Sequence, residues 1–261
     1  MKKIKLNLIL FILLLMPLTA YAQFDFNIGD FNFGDLLNEA TDDSNINLNS
    51  LKLSWTAETY TPYEYKGRAL PTQGSNVIID AILDISGENP SNLKYSWFLD
   101  DIFQENKSGY GRNSFQFGVR RAGGSSHKVL IKIFNDSRSF MVEKSIDIPI
   151  VGPEIALYFS NGGSYSSDRV IDSVDVYSDK KSIFIIRPYF FDINKLTDLS
   201  FEWRLANQQP IISSAYSANA LDLFIGGKTS KEILKENLLV KVTNKLDSRQ
   251  TQFQSVLVKI H

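Results

Sequence analysis

Two stretches of the chain, "LKYSWFLDD" at 93–101 and "LSFEWRLAN" at 199–207, are versions of one another. At an offset of 106 positions, Leu93, Trp97, Leu99, Ser108, Tyr110 and Asn113 meet the identical Leu199, Trp203, Leu205, Ser214, Tyr216 and Asn219. Tyr95 meets Phe201, while Phe115 and Phe117 meet Leu221 and Leu223. Further along the offset drifts by a few residues, as changes in loop length require. "VLIKIFNDSR" (129–138) then faces "LLVKVTNKLDSR" (238–249), and "KSIDIPI" (144–150) faces "QSVLVKI" (254–260). A chain built this way folds as two consecutive copies of one module.

Inside each copy the apolar residues recur every second position. Leu93, Tyr95, Trp97 and Leu99 share one face, as do Leu199, Phe201, Trp203 and Leu205. Val129, Ile131 and Ile133 alternate with Lys128, Leu130 and Lys132, and Leu238, Val240 and Val242 repeat the pattern. Short alternating runs of β-branched and aromatic residues are strands with one face buried. Turn-forming clusters separate them: "SGENPSN" (86–92), "AGGSS" (122–126), "NDSRS" (135–139) and "NKLDS" (244–248). The expected class is all-β, with about seven short strands per ~100 residues, the density of a β-sandwich. One stretch, "TSKEILKEN" (229–237), reads as a helical turn or two before a strand.

The "Y-x-W" and "F-x-W" of the third strand, with the strand count and order, make each copy resemble an immunoglobulin-like β-sandwich that lacks the disulfide. That resemblance implies that Trp97 and Trp203 fill the space between the two sheets. Trp55 shares a face with Leu51 and Leu53 and reads as a third core residue. The pattern also resembles the polycystic-kidney-disease (PKD) type modules of bacterial surface proteins. It departs from them where "WFLDDIF" and "WRLANQQ" lack the Gly-Asp-Gly turn. The resemblance covers residues 51–261, divided at the proline- and glycine-bearing junction "PIVGPEI" (149–155) into modules at 51–151 and 152–261. Prolines in so short a junction restrict the angles the modules adopt, and the junction itself offers only a small contact between them. What the resemblance implies about function is a non-catalytic surface module.

Residues 1–22 have the order of a secretory signal peptide: Lys2, Lys3 and Lys5, an apolar run from Leu8 to Met16, then Ala20-Tyr21-Ala22 as cleavage site. The apolar run is much shorter than the ~20 residues a membrane span needs. The expected location is therefore the periplasm, the cell surface or the medium, with no transmembrane anchor after cleavage. Without those three lysines the 28 basic residues fall to 25 against 29 acidic ones, a net charge of -4. A mildly acidic chain with no basic cluster excludes a nucleic-acid partner. With no cysteine in the chain, neither disulfides nor thiol chemistry contributes, and each module stands on its apolar core. Residues 23–50, Asn/Asp-rich with the echo "FDFNIGD" and "FNFGD", are expected to be a flexible segment. The alternative is an alternating Phe strand that adds to a partner's sheet edge.

Catalytic constellations are sparse. The two histidines, His127 and His261, lie apart and read as exposed edge residues, too few for a histidine-based zinc site or a Ser-His-Asp arrangement. Asp100-Asp101 reads as a turn, and Asp172, Asp175 and Asp179 do not have the spacing of a calcium loop. "LPTQG" (70–74) has glutamine where the sortase signal has threonine, and reads as a proline-glycine turn. No enzyme activity, no cofactor and no metal is expected.

The long connection "ETYTPYEYKGRALPTQGS" (58–75) is the candidate contact surface, through Tyr60, Tyr63, Tyr65 and Arg68. Tyrosine joins a rigid apolar ring to a polar tip, which suits recognition of protein or sugar. Long connections also fold their aromatics back on the sheet, and the sequence leaves both open. The leading expectation is an exported adhesion or envelope-scaffold protein that contacts another envelope or surface protein. The alternative is a carbohydrate- or cell-wall-binding module using residues 58–75. A third reading rests on a resemblance to two-domain periplasmic pilus chaperones, with "SIDIPIV" (145–151) as the alternating donor strand. The Arg–Lys cleft pair of that family has no match here.

Overall fold

A computed structural model describes residues 51–85, 89–161, 168–170, 172–206, 217–227 and 232–261. The signal-peptide pattern and the segment 23–50 lie outside these residues.

The first half folds as β1 (Leu51–Ala57), β2 (Asn76–Leu83), β3 (Lys94–Leu99), β4 (Ile102–Phe103), β5 (Gly109–Tyr110), β6 (Ser114–Gly118), β7 (Ser126–Phe134) and β8 (Met141–Pro149). One sheet has the order β1-β2-β6; the other is β4-β3-β7-β8, with β5 also on β3. The second half contains β9 (Glu154–Asn161), β10 (Asp168–Arg169), β11 (Ser173–Val176), β12 (Lys181–Tyr189), β13 (Leu199–Leu205), β14 (Ala220–Phe224), β15 (Leu234–Asn244) and β16 (Thr251–Ile260). Its sheets are β10-β9-β12-β14 and β11-β16-β15-β13. In each half the first, second and fifth strands of the immunoglobulin scheme face the third, sixth and seventh, so the chain is all-β with two tandem immunoglobulin-like sandwiches.

The period-two phase sets each core. Trp97 on β3 is fully buried and stacks on Phe115 of β6 in the opposite sheet, ring centroids 5.4 Å apart. Phe115 in turn stacks on Phe117 at 5.5 Å. Trp55 closes the same core, and the fully buried Trp203 lies in the second one among Leu199, Val240, Val242 and Val256. Each buried aromatic or aliphatic side chain of this kind contributes on the order of 1.5–3 kcal/mol.

The β3–β4 connection is a two-residue turn: Leu99 pairs with Ile102, and Asp100 and Asp101 have φ of 51° and 66°. Aspartate tolerates this left-handed region better than most residues, and the twist of such a turn matches the strands it joins.

The halves differ at one edge. In the second sandwich β11 runs parallel to β16, and His261 N–H closes the ladder on Val176 O at 2.9 Å. In the first, the matching stretch keeps the bond from Val151 N–H to Pro71 O at 2.9 Å but forms no strand. Pro149, one ladder step back, has no N–H to give.

Two expectations fail here. Residues 234–237 of the proposed helical turn are the start of β15, with Leu234 paired to Ile260 and Asn237 to Leu257; pairing along β16 overrides a weak local helix preference. Residues 229–231 lie outside the described residues. His127 is not an exposed edge residue: it points inward from β7 and is 4% exposed. Its ring stands edge-on to Phe117 at 5.2 Å.

Candidate functional site

The connection 58–75 leaves β1 and lies against the second sandwich. Tyr60 N–H donates to Phe191 O at 2.8 Å, and Phe190 N–H donates to Tyr60 O at 2.7 Å. Tyr60 is thus held as a one-residue β-bridge between the halves, its ring half-buried against the second core. Burial, and then the nearby Glu64 carboxylate, push its hydroxyl above the usual tyrosine range. Tyr65 sits edge-on to Tyr189 at 5.6 Å and to Phe190 at 5.7 Å, and its hydroxyl donates to Arg68 O at 3.2 Å. Arg68 turns back to the first sandwich, its guanidinium 4.5 Å from the centre of the Trp55 ring. Tyr63 makes no ring contact with the described aromatics and is 96% exposed. Two of the four sequence candidates therefore face the second sandwich, one returns to the first, and one is free.

On the second sandwich the loop meets the outward face of β9 and β12. Arg187 lies over the Tyr158 ring at 4.2 Å and 3.8 Å from Glu64 of the loop. Burial, helped by a hydrogen bond with Tyr158, pushes the Tyr189 hydroxyl up to about 12. Between loop and sheet is a cleft of about 240 Å³ lined by Tyr60, Tyr63, Glu64, Ile185, Arg187 and Pro188, with Pro62, Leu196 and Asn219 at its margins. A second contact fixes the halves. Buried Gln250 donates to Gln73 O at 2.9 Å and accepts from Asp192 N–H at 2.9 Å and Asn244 Nδ2 at 3.0 Å. Gly74, at φ +102°, lets the turn approach this contact: a Cβ there would stand 3.2 Å from Asp192 Oδ2.

The outward face of the β4-β3-β7-β8 sheet was not marked as a site from the sequence. Register places Phe103, Phe98 and Leu130 in one row and Tyr110, Lys94, Phe134 and Met141 in another. Lys132 and its 2.8 Å ion-pair partner Glu143 lie between the rows. Phe103, Tyr110 and Met141 are 48%, 55% and 58% exposed. Lys94 and Arg138 approach the Phe134 ring at 5.8 and 6.0 Å, and neither has an ion-pair partner among the described residues. The available signal was phase: Phe98, Leu130 and Phe134 are apolar at positions that alternate with the core residues.

Asp100 and His127 form a separate pair. His127 Nδ1 is 2.7 Å from Asp100 Oδ2, Arg121 is 3.0 Å from the same oxygen, and Lys128 N–H donates to Oδ1 at 3.1 Å. Burial opposes ionisation of Asp100, but these bonds and the charges of His127 and Arg121 outweigh it and hold the carboxyl below its ordinary range. Among the described residues no group of carboxylates and histidines has the geometry to hold a metal. Asp175 bonds to His261 at 2.6 Å instead. No helix of the described residues is long and apolar enough to cross a membrane.

No family model and no curated protein matches this chain. Among solved structures it is similar to the three N-terminal domains of the bacteriophage RB49 Highly Immunogenic Outer Capsid protein (Hoc), at 13% identity and a TM-score of 0.45. That match covers 80% of this chain and 59% of the other, so this chain spans less than two thirds of its length. It is also similar to SGBP-B of the Bacteroides ovatus mixed-linkage glucan utilization locus, solved with a mixed-linkage heptasaccharide: 9% identity, 84% and 72% of the chains covered, TM-score 0.23. The third is dimeric latent PorU from Porphyromonas gingivalis: 9% identity, 81% and 20% covered, TM-score 0.24. At these scores the immunoglobulin-like assignment stands on the strand order and the two cores.

Proposed function

We propose that this chain is an exported, non-catalytic interaction protein whose first sandwich meets a partner protein through the outward face of its β4-β3-β7-β8 sheet. The supporting observation is the double row of exposed Phe103, Tyr110 and Met141 with half-buried Phe98, Leu130 and Phe134 on a regular sheet. It is bordered by Lys94 and Arg138, which have no ion-pair partner among the described residues, and by Asp136, which accepts from the Tyr110 hydroxyl. Contiguous aromatic and methionine surface with cationic borders is the composition of a protein contact. The complementary partner surface is apolar with carboxylates at its rim, and the signal-peptide pattern of residues 1–22 supports a partner in the envelope or on the cell surface.

The test is capture of envelope proteins on the mature chain. Phe103→Arg and Met141→Arg should abolish retention of the specific partner, and the double charge reversal Lys94→Glu with Arg138→Glu should abolish it too. Retention should weaken with added salt, because rim charges are screened. Partner binding indifferent to all of these substitutions removes the proposed face. Turnover of any substrate in a hydrolase panel, lost on a single carboxylate substitution, removes the non-catalytic reading.

A further inference from the structure

The geometry points to a second, independent site: the cleft between the tyrosine connection and β12 binds a neutral saccharide. Ile185 and Pro188 line it on the sheet side, half-buried Tyr60 lines the loop side, and the exposed Tyr63 stands at its mouth, where its ring is open to a ligand. Aromatic rings take the C–H face of a pyranose, while a few placed polar groups set its orientation. Those groups are present: the Glu64 carboxylate and the Arg187 guanidinium enter the same space, and each offers paired hydrogen-bonding atoms in a plane. At 3.8 Å the two are an ion pair without a hydrogen bond between them, so their donors and acceptors are available to hydroxyls. Neither the Tyr60 nor the Tyr63 hydroxyl has a hydrogen-bond partner among the described residues.

The charges select the ligand class. Arg187 is offset by Glu64 at the same opening, which leaves no net charge to attract a phosphate or a uronate. An extended peptide adding as a strand is excluded by the backbone. β12 is paired with β9 from Ser182 to Tyr189. On its other side the ladder with β14 ends at Ile185, Asn219 then occupies both backbone groups of Ile186 at 2.8 Å, and Pro188 has no N–H. Among the described residues no run of ladder groups is therefore left there for an added strand. The volume of about 240 Å³ holds roughly one sugar ring with its neighbours extending into solvent. Pre-organisation is built in. Tyr60 is pinned by its two backbone bonds to the second sandwich, and Arg187 is stacked at 4.2 Å on Tyr158. The site uses residues of both sandwiches, which explains why the sequence of the loop alone did not define it.

The experiment is a binding screen of the full mature chain against neutral and uronate-bearing oligosaccharides, followed by titration calorimetry on the best binder. A neutral oligosaccharide should bind, and Tyr63→Ala and Glu64→Gln should each weaken it about tenfold or more. The melting temperature of Tyr63→Ala should stay unchanged, since this side chain touches nothing that holds the fold. Arg187→Lys should weaken binding as well, because a lysine keeps the charge but loses the planar fork. The proposal is overturned if only uronate-bearing sugars bind, if none binds at millimolar concentration, or if binding survives Tyr63→Ala and Glu64→Gln. The partner-protein reading of the other face is untouched by any of these results, and Phe103→Arg should leave saccharide binding intact.

Discussion

The indole N–H of Trp97 donates to Arg112 O at 2.9 Å, whereas the indole N–H of Trp203, at the matching place in the second sandwich, is buried with no acceptor among the described residues. Two side chains that the repeat makes equivalent therefore differ in polar satisfaction. An orphaned buried donor costs ~1–3 kcal/mol, and so does the acceptor left behind when a bonded donor is removed.

Phenylalanine substitutions separate the two terms. Trp97→Phe should destabilise the first sandwich by the lost volume plus an unpaired Arg112 carbonyl. Trp203→Phe loses similar volume but sheds an unsatisfied group. The difference in denaturation free energy should be about 1–3 kcal/mol in that order, while alanine at either position should cost ~3–5 kcal/mol. Equal costs for the two phenylalanine variants in urea titrations would contradict the assignment.

Asp100 gives the first sandwich an acid-sensitive element. Against the effect of burial, His127, Lys128 N–H and Arg121 hold its folded value below the ordinary aspartate range. A depressed acid contributes stability that is fully present above its unfolded value and is lost as pH falls through the folded one. Urea midpoints measured below pH 4 should fall more steeply for the wild-type chain than for Asp100→Asn. Parallel curves would show that the pair is not coupled to folding.

Asp192 has the opposite sign. Burial first, then repulsion from Asp247 and Glu58, raises its folded value above 3.8. Asp247 is held ionised by its bonds to Arg249, so the repulsion persists near neutral pH. The folded chain binds this proton more readily than the unfolded one. Its ionisation therefore costs stability at neutral pH, and the cost disappears as pH drops below the unfolded value. Asp192→Asn should raise the melting temperature at pH 7 and converge with wild type near pH 3. The gap should not widen on acidification.

Tyr60 belongs in sequence to the first module but packs against the second core. Tyr60→Ala should lower the stability of the second sandwich by about 1–3 kcal/mol. Hydrogen exchange in β15, from Leu238 to Val242, is the readout, because these amides sit in that core's centre. Unchanged protection there, with loss confined to β1 and β2, would mean the bridge holds the loop without supporting the core.

Much of this fold is readable from local pattern, because strand phase is a local property. The positions of Leu93, Tyr95, Trp97 and Leu99 fix which face of β3 is inward, and the repeat transfers the statement to β13. The same phase left Phe98 and Phe134 outward, though their assembly into one surface needed the register of β3, β4 and β7. The helical reading of 229–237 failed because propensity is weak, and the ladder to β16 supplies a hydrogen bond at alternate residues of β15 that an isolated turn cannot match.

The sequence alone determined that there are two modules, that both are β-sandwiches, that their tryptophans share a strand, and that no thiol chemistry is present. These follow from periods of two and 106 and from composition, and none requires knowing what lies across space. Only the tertiary structure decided that the tyrosine connection of the first module rests on the second, that Tyr63 alone of its candidates is free, and that His127 is buried beside Asp100. A loop side chain has no period to direct it. Its orientation is set by non-local partners such as Phe191 and Arg187, more than a hundred residues away in the chain, whose contacts exist only once both cores have formed.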